Sequence, residues 1–232
     1  MRTLIDSWKK KANRYQELKK QKGVTLLEII IVLGIIGIIA AGVVVLAQRA
    51  FTSQDISNVI DDTNSVRVAM TEAYKDSMEY PALVSVIDIT KADIAKSSSK
   101  AAIVSLVKMG KISPDEAFNG FSNDAFEIGH AKLGTSDAKF KGFYLVLNGL
   151  ETEDCRNVIS QVGAQWDYVA TTTGRAGENS GQNDELDMSV PVTTAGVLKS
   201  TTGDRLNPEE IVAKGICDAD AGAGNAIVLG SR

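Results

Sequence analysis

From Ile29 to Ala47 the chain carries nineteen consecutive uncharged, mostly apolar residues. As a helix that run spans about 28 Å, close to the roughly 30 Å hydrocarbon thickness of a bilayer, and it is apolar on every face. The pattern then changes period rather than stopping. Beyond Gln48 and Arg49, the residues Ile56, Val59, Ile60, Val66, Met70, Ala73 and Tyr74 recur at spacings of three, four and their multiples. Asp55, Asp61, Asp62, Arg67, Glu72, Lys75 and Asp76 fill the gaps, which predicts an amphipathic helix with one apolar stripe. No proline intervenes before Pro81, which pushes Tyr80 toward extended geometry. One helix from about Thr25 to Glu79, some 80 Å long, is therefore predicted. Its first half must be buried in lipid or in other copies of itself; its second half packs on its own domain. Gly34, Gly37 and Gly42 in the apolar half permit three readings: close helix approach, local unwinding, or simple tolerance.

Beyond Pro81 the periods shorten. "SKAAIVSLVKMGKI" predicts a short helix ending near Gly110, a C-cap candidate. "KGFYLVLNGL" (141–150) predicts a strand and turn, and "LETEDCRNVISQVG" a helix with Thr152 as N-cap and Gly163 as stop. "QWDYVATTT" reads as a strand, residues 174–183 as a polar glycine-rich loop, and "ELDMSV" as a weak strand. "LNPEEIVAKGIC" reads as a helix reaching close to Cys217, with Asn207 as N-cap, Pro208 at the first position and Glu210 placed for a capping box. "NAIVLGS" closes the chain as a strand. The fold class is α+β, an antiparallel sheet laid on the long helix.

Charge sharpens this picture. Residues 1–23 hold eight Lys/Arg against Asp6 and Glu17, a net +6, so the remainder of a chain of net −4 carries −10. Basic charge directly before an apolar span reads as a cytoplasmic anchor, and the acidic remainder excludes a nucleic-acid binder. The apolar run is too long for a signal-peptide h-region of 7–15 residues, so a retained span is expected. Glu28 sits just inside the apolar border, where an ionisable group is a functional hypothesis that needs a partner. The only two cysteines, Cys155 and Cys217, lie on the far side of the span from the basic tail. In an oxidising compartment they are most simply one disulfide, the alternative being two unrelated buried thiols. The sequence holds no GxSxG, HExxH, GxxxxGK[ST] or CxxC, and its single histidine, His130, reads as a surface or strand-end residue. "DADAGAGN" (218–225) lacks the bidentate Glu of a calcium loop. No catalytic residue, metal site or cofactor is expected, and an enzyme is not.

"KGVTLLEIIIVLGIIGIIAAGVVVLAQRA" resembles the N-terminal signature of type IV prepilins: a basic leader, Gly23, a first mature residue Val24, and Glu28 four positions on, before the apolar helix. The long leader and Val24 in place of phenylalanine resemble the type IVb branch. "AQRAF", "SLVKMGKISPDEAFNG", "GFYLVLNGLETEDC" and the late Cys217 resemble the major pilins of enteric bacteria, the group of the toxin-coregulated pilus, longus and colonisation factor antigen III. The resemblance implies cleavage between Gly23 and Val24 by a prepilin peptidase, N-methylation of Val24, and an assembly role for Glu28. It implies a periplasmic domain held in the inner membrane, then extrusion by an inner-membrane platform and ATPase into an extracellular helical homo-oligomer for bacterial aggregation and host attachment. The alternatives are a minor pilin or a type II secretion pseudopilin. The expected organisation is a removed leader (1–23), a membrane and filament-core half-helix (24–50), an amphipathic half (51–80), and a pilin head (81–232) with a cysteine-bounded segment (155–217).

Overall fold

The computed structural model describes residues 25–182, 185–203, 205–213, 215–219 and 222–232, and the chain divides into two units, Met1–Ala50 and Phe51–Arg232. One helix, α1 (Leu26–Tyr74), contributes to both. In the first unit all described residues are exposed except the half-buried Ala47. An eighteen-residue window of this helix reaches a mean hydropathy of 3.2 with none of it buried. The helix runs unbroken through Gly34, Gly37 and Gly42, so the unwinding reading is not realised in the single chain. A Cβ added at any of the three meets nothing within 4 Å, so close approach there would need a second chain.

In the second unit α1 buries Ile56, Val59, Thr63, Val66, Ala69 and Met70, with Ile60, Ala73 and Tyr74 packed alongside. The predicted stripe is the core stripe. Thr63 joins it because its hydroxyl turns back to the Ile60 carbonyl at 3.0 Å, leaving no buried donor unpaired. The helix ends at Tyr74, five residues short of the predicted Glu79. Tertiary contact ends it. The Tyr80 ring sits 6.1 Å from that of Tyr74 and 5.0 Å from that of Phe143, while the Tyr80 N–H donates to the Phe140 carbonyl at 3.0 Å. A helix continued to Glu79 could not deliver Tyr80 there.

Helix α2 (Ala102–Lys108) stops as its sequence predicts. Gly110 takes φ +67°, its N–H donates to the Val107 carbonyl, and the Lys111 N–H donates to that of Leu106, both at 3.0 Å. The sheet comprises β1 (Glu127–Lys132), β2 (Gly142–Leu150), β3 (Tyr168–Thr173), β4 (Leu186–Asp187), β5 (Val197–Lys199) and β6 (Asn225–Ser231), ordered β4-β1-β2-β6-β3-β5. Four pairings are antiparallel; β4 joins β1 in parallel. Helix α3 (Thr152–Val162) links β2 to β3, and α4 (Pro208–Ile211) precedes β6.

Every residue of β2 and β6 is buried, as continuous apolar runs demand when both faces of a sheet are covered. Phe143, Leu145, Leu147, Ile227 and Leu229 face the core shared with α1. Tyr144, Val146, Ala226 and Val228 face a second core, closed by Leu186, Met188, Val190, Val192 and Val197 of the segment between β3 and α4.

Two local expectations are corrected and one is met. The N-cap of α3 is Glu151, whose carbonyl accepts the Cys155 N–H at 2.9 Å, and Thr152 is already helical. Gly163 is the stop as predicted: α3 ends at Val162 with Gly163 as its C-cap at φ −59°, and a 3₁₀ turn, Gly163–Gln165, follows. Helix α4 keeps its predicted start, the Asn207 Oδ1 accepting the Glu209 N–H at 3.1 Å, but ends at Ile211. Cys217 is therefore outside it, with Gly215 between them at φ +89°.

Candidate functional site

Helix α1 begins at a polar cap. The Thr25 hydroxyl accepts the Glu28 N–H at 3.2 Å, and the Thr25 carbonyl accepts the Ile29 N–H at 3.2 Å. Thr25 is thus the N-cap and Glu28 the third residue of the first turn, where the helix dipole favours a carboxylate. Glu28 is exposed among Leu26, Leu27, Ile29 and Ile30, all exposed as well. A carboxylate set in a surface this apolar loses its water when that surface is covered, and then needs a cation from elsewhere. Gly23 and Val24 lie outside the described residues. The sequence reading found Glu28 but passed over Thr25, although the T-x-x-E spacing of a capping box was there to be read.

At the other end of the chain Cys155 and Cys217 are joined, Cα atoms 5.9 Å apart and 62 positions apart in sequence, which decides between the two readings of the cysteines. Cys155 is buried on α3 beside Val158, Ile159 and Val162; Cys217 sits in a turn at φ +52°. The Arg156 Nη2 donates to the Ile216 carbonyl at 3.3 Å, so the bridge and this bond hold the same turn to α3. Asn225 pins the next stretch, accepting the Ala219 N–H at 2.9 Å and donating to the Leu150 carbonyl at 3.1 Å. Residues 220 and 221 of the weighed calcium loop lie outside the described residues.

The remaining polar clusters are spent on structure. The buried Asn148 donates to Asp124 Oδ2 at 2.7 Å and to the Arg175 carbonyl at 3.0 Å, while Asp124 also accepts the Gly177 N–H at 2.8 Å. These bonds tie down the glycine-rich loop after β3. His130 lies within β1, half-buried, its ring stacked on Phe140 at 3.6 Å. Burial pushes the Asp154 carboxyl up, helped by Glu151, Glu153 and Asp55. Among the described residues, no three His, Cys, Asp or Glu side chains converge on a metal position.

A helix apolar all round and then amphipathic, followed in the chain by a sheet domain with one disulfide, defines a type IV pilin. A family model described as "Toxin-coregulated pilus subunit TcpA" matches residues 105–228, and the prokaryotic N-terminal methylation motif matches residues 18–44. Two toxin coregulated pilins of Vibrio cholerae, one from serotype O1, are 36% and 37% identical over 203 residues, 86% of this chain and 85% of theirs. The crystal structure of TcpA, a type IV pilin from the Vibrio cholerae El Tor biotype, matches with a TM-score of 0.57 at 25% identity, covering 77% of this chain and 99% of that one. The chain belongs to the toxin-coregulated pilus subunit family. It is a structural pilus subunit rather than an enzyme, and the family with its methylation motif implies membrane anchoring, a pilus filament and processing by a prepilin peptidase.

Proposed function

We propose that this chain is the major subunit of a type IVb pilus, made as a precursor and cut between Gly23 and Val24. The observation that carries the reading is the first unit: a helix exposed on all sides, apolar throughout its span, and marked by a single carboxylate near its start. No water-soluble monomer keeps such a surface uncovered. Before assembly, residues 24–50 lie in the inner membrane and the head of residues 81–232 in the periplasm. A cytoplasmic ATPase and an inner-membrane platform then move the subunit into a filament outside the cell. There the apolar helices bundle, the amphipathic stretch 51–80 belongs to the coat of heads, and the pilus serves aggregation and host attachment.

Cleavage leaves an α-amine on Val24, which takes a methyl group from an electrophilic donor and stays protonated near neutrality. Glu28 is one helical turn away. In the filament its carboxylate pairs with Val24 of a neighbouring subunit, because an unpaired charge in an apolar core is strongly disfavoured. Such pairs are best suited to fixing register, so each arriving subunit stops where the charges meet.

Mass spectrometry of sheared surface filaments should find a dominant subunit beginning at a methylated Val24. Glu28→Val as the only subunit should insert and lose its leader normally, yet yield no filaments. An unprocessed Met1 terminus would remove the proposed cut between Gly23 and Val24, and normal piliation by Glu28→Val would remove the charge pair.

A further inference from the structure

Val68 is an exposed ridge of α1 in the second unit, and an open cleft runs along each side of it. At 3.6 residues per turn, Arg67 and Thr71 lie on one flank of that ridge and Ser65 and Ala69 on the other. The first cleft is closed by Gln165, Asp167 and Arg232, where β3 begins and β6 ends. The second is closed by Lys111 and Glu116, which follow α2.

The two clefts carry opposite charge. In the first, Arg232 meets Asp167 at 3.7 Å, which leaves Arg67 and Lys75. Arg67 donates to the Gln165 carbonyl and lies 5.4 Å over the Trp166 ring, neutral partners that leave its charge uncancelled. Lys75 lies near Glu72, but that carboxylate is already bonded to Lys111 at 2.7 Å. In the second cleft the surplus is acid. Asp61 and Glu116 line it with Asp62 beside them, while Lys111 is held by Glu72 and Lys91 by Asp115 at 3.4 Å.

Like flanks laid together repel, whereas the basic flank of one copy attracts the acidic flank of another. Each such contact leaves both copies with one flank unused. A pairing of that kind is heterologous: it does not end at two copies but continues into a ring or an open helix. We propose that neighbouring heads in the filament meet through these flanks, the Arg67 and Lys75 side of one subunit against the Asp61, Asp62 and Glu116 side of the next. The inference rests on the filament reading above, and the partner is a second copy of this chain. Charges this exposed hold free heads together only weakly. Bundled helices that keep neighbouring heads at high effective concentration make the pairing count.

Asp61 and Lys75 are exposed and fourteen positions apart on α1, about 21 Å, too far for a disulfide within one chain. The native cysteines are already joined to each other. Filaments assembled from wild-type subunits mixed with the Asp61→Cys/Lys75→Cys variant should, on mild oxidation, give covalent dimers and longer multimers on non-reducing gels. Peptide mapping should find positions 61 and 75 linked, and either single variant should stay monomeric. Double-variant subunits that remain monomeric in such filaments, or single variants that dimerise through one position, would overturn the pairing of flanks. Charge gives a second measurement: Lys75→Glu and Asp61→Lys should each lower filament yield severalfold, and the two together should restore most of it. A combined variant no better than either single would remove the electrostatic basis. Mature variants in detergent should melt with wild type, which separates a lost contact from a misfolded head. A wild-type chain that forms no filaments removes the filament reading, whereas filaments without the link between positions 61 and 75 remove only this contact.

Discussion

Met188 is fully buried against two glycines on the face of the sheet opposite α1. A Cβ on Gly230 would overlap its Sδ and lie 2.9 Å from the Tyr168 Cβ, and one on Gly142 would lie 2.5 Å from its Cε. Gly230→Ala should therefore cost about 1–3 kcal/mol by overpacking, and Met188→Ala about 2–5 kcal/mol by leaving a cavity. The double variant, read by chemical denaturation, should cost less than the sum, because the added methyl enters the vacated space. A strictly additive pair would mean that the two do not meet. Asp62 gives a prediction in pH. Its carboxyl is pushed up to about 6 from an ordinary 3.8, first by burial and then by Glu116, Asp61 and Asp115, with Lys91 opposing. The folded state thus holds this proton more tightly than the unfolded chain, so its contribution favours folding at low pH and is lost as pH rises through about 6. Asp62→Asn should raise the melting temperature at pH 7 by on the order of 1–3 °C, a modest shift because the half-exposed group is screened, and the two proteins should converge below about pH 4. An unchanged difference across that range would assign the effect to something other than this titration.

The elements divide into those that carry their own signal and those that do not. The second half of α1 was legible because its stripe is its buried face, and β2 and β6 because unbroken apolar runs mark strands covered on both sides. Strand β1 was not, since Glu127, Gly129 and His130 break any alternation. Gly129 is there because the Tyr144 ring occupies the space of its Cβ, a contact across strands that no local window contains. The end of α1 and the end of α4 failed for the same reason: Phe143 fixes one from far along the chain, and the turn that carries Cys217 to α3 fixes the other. At the helix start the legible residue was the charged one. Glu28 stands out in an apolar run, whereas Thr25 shows only as the first position of a T-x-x-E spacing. The disulfide itself acts on a long loop. With its cysteines 62 positions apart in sequence, it should stabilise the head by about 4 kcal/mol in the chain-entropy model. The Cys155→Ser/Cys217→Ser protein should lose roughly that much in denaturant unfolding, with the segment of residues 186–217 gaining protease sensitivity first. Unchanged stability would mean that the packing of Met188 and its neighbours already restrains the loop.

At the scale of the molecule, the described residues divide their large apolar side chains unevenly between the two units. Every residue of both buried clusters lies at Ile56 or beyond, while the large apolar residues from Leu26 to Leu46 are exposed. The long helix therefore has two parts: its later turns belong to the buried core of the second unit, and its earlier turns are exposed along an apolar length. A protein built this way should come apart at the junction without loss to the head. A chain of residues 51–232, exported to an oxidising compartment, should form the Cys155–Cys217 bond and run as a monomer without detergent. It should unfold in one cooperative transition and leave no filaments on sedimentation. The full-length mature chain should instead need detergent until it is assembled. A truncated head that failed to fold would mean that the first unit supports the core after all. Filaments built from it would mean that the heads alone carry polymerisation, and the exposed apolar helix with Glu28 at its start would then be a membrane anchor and nothing more.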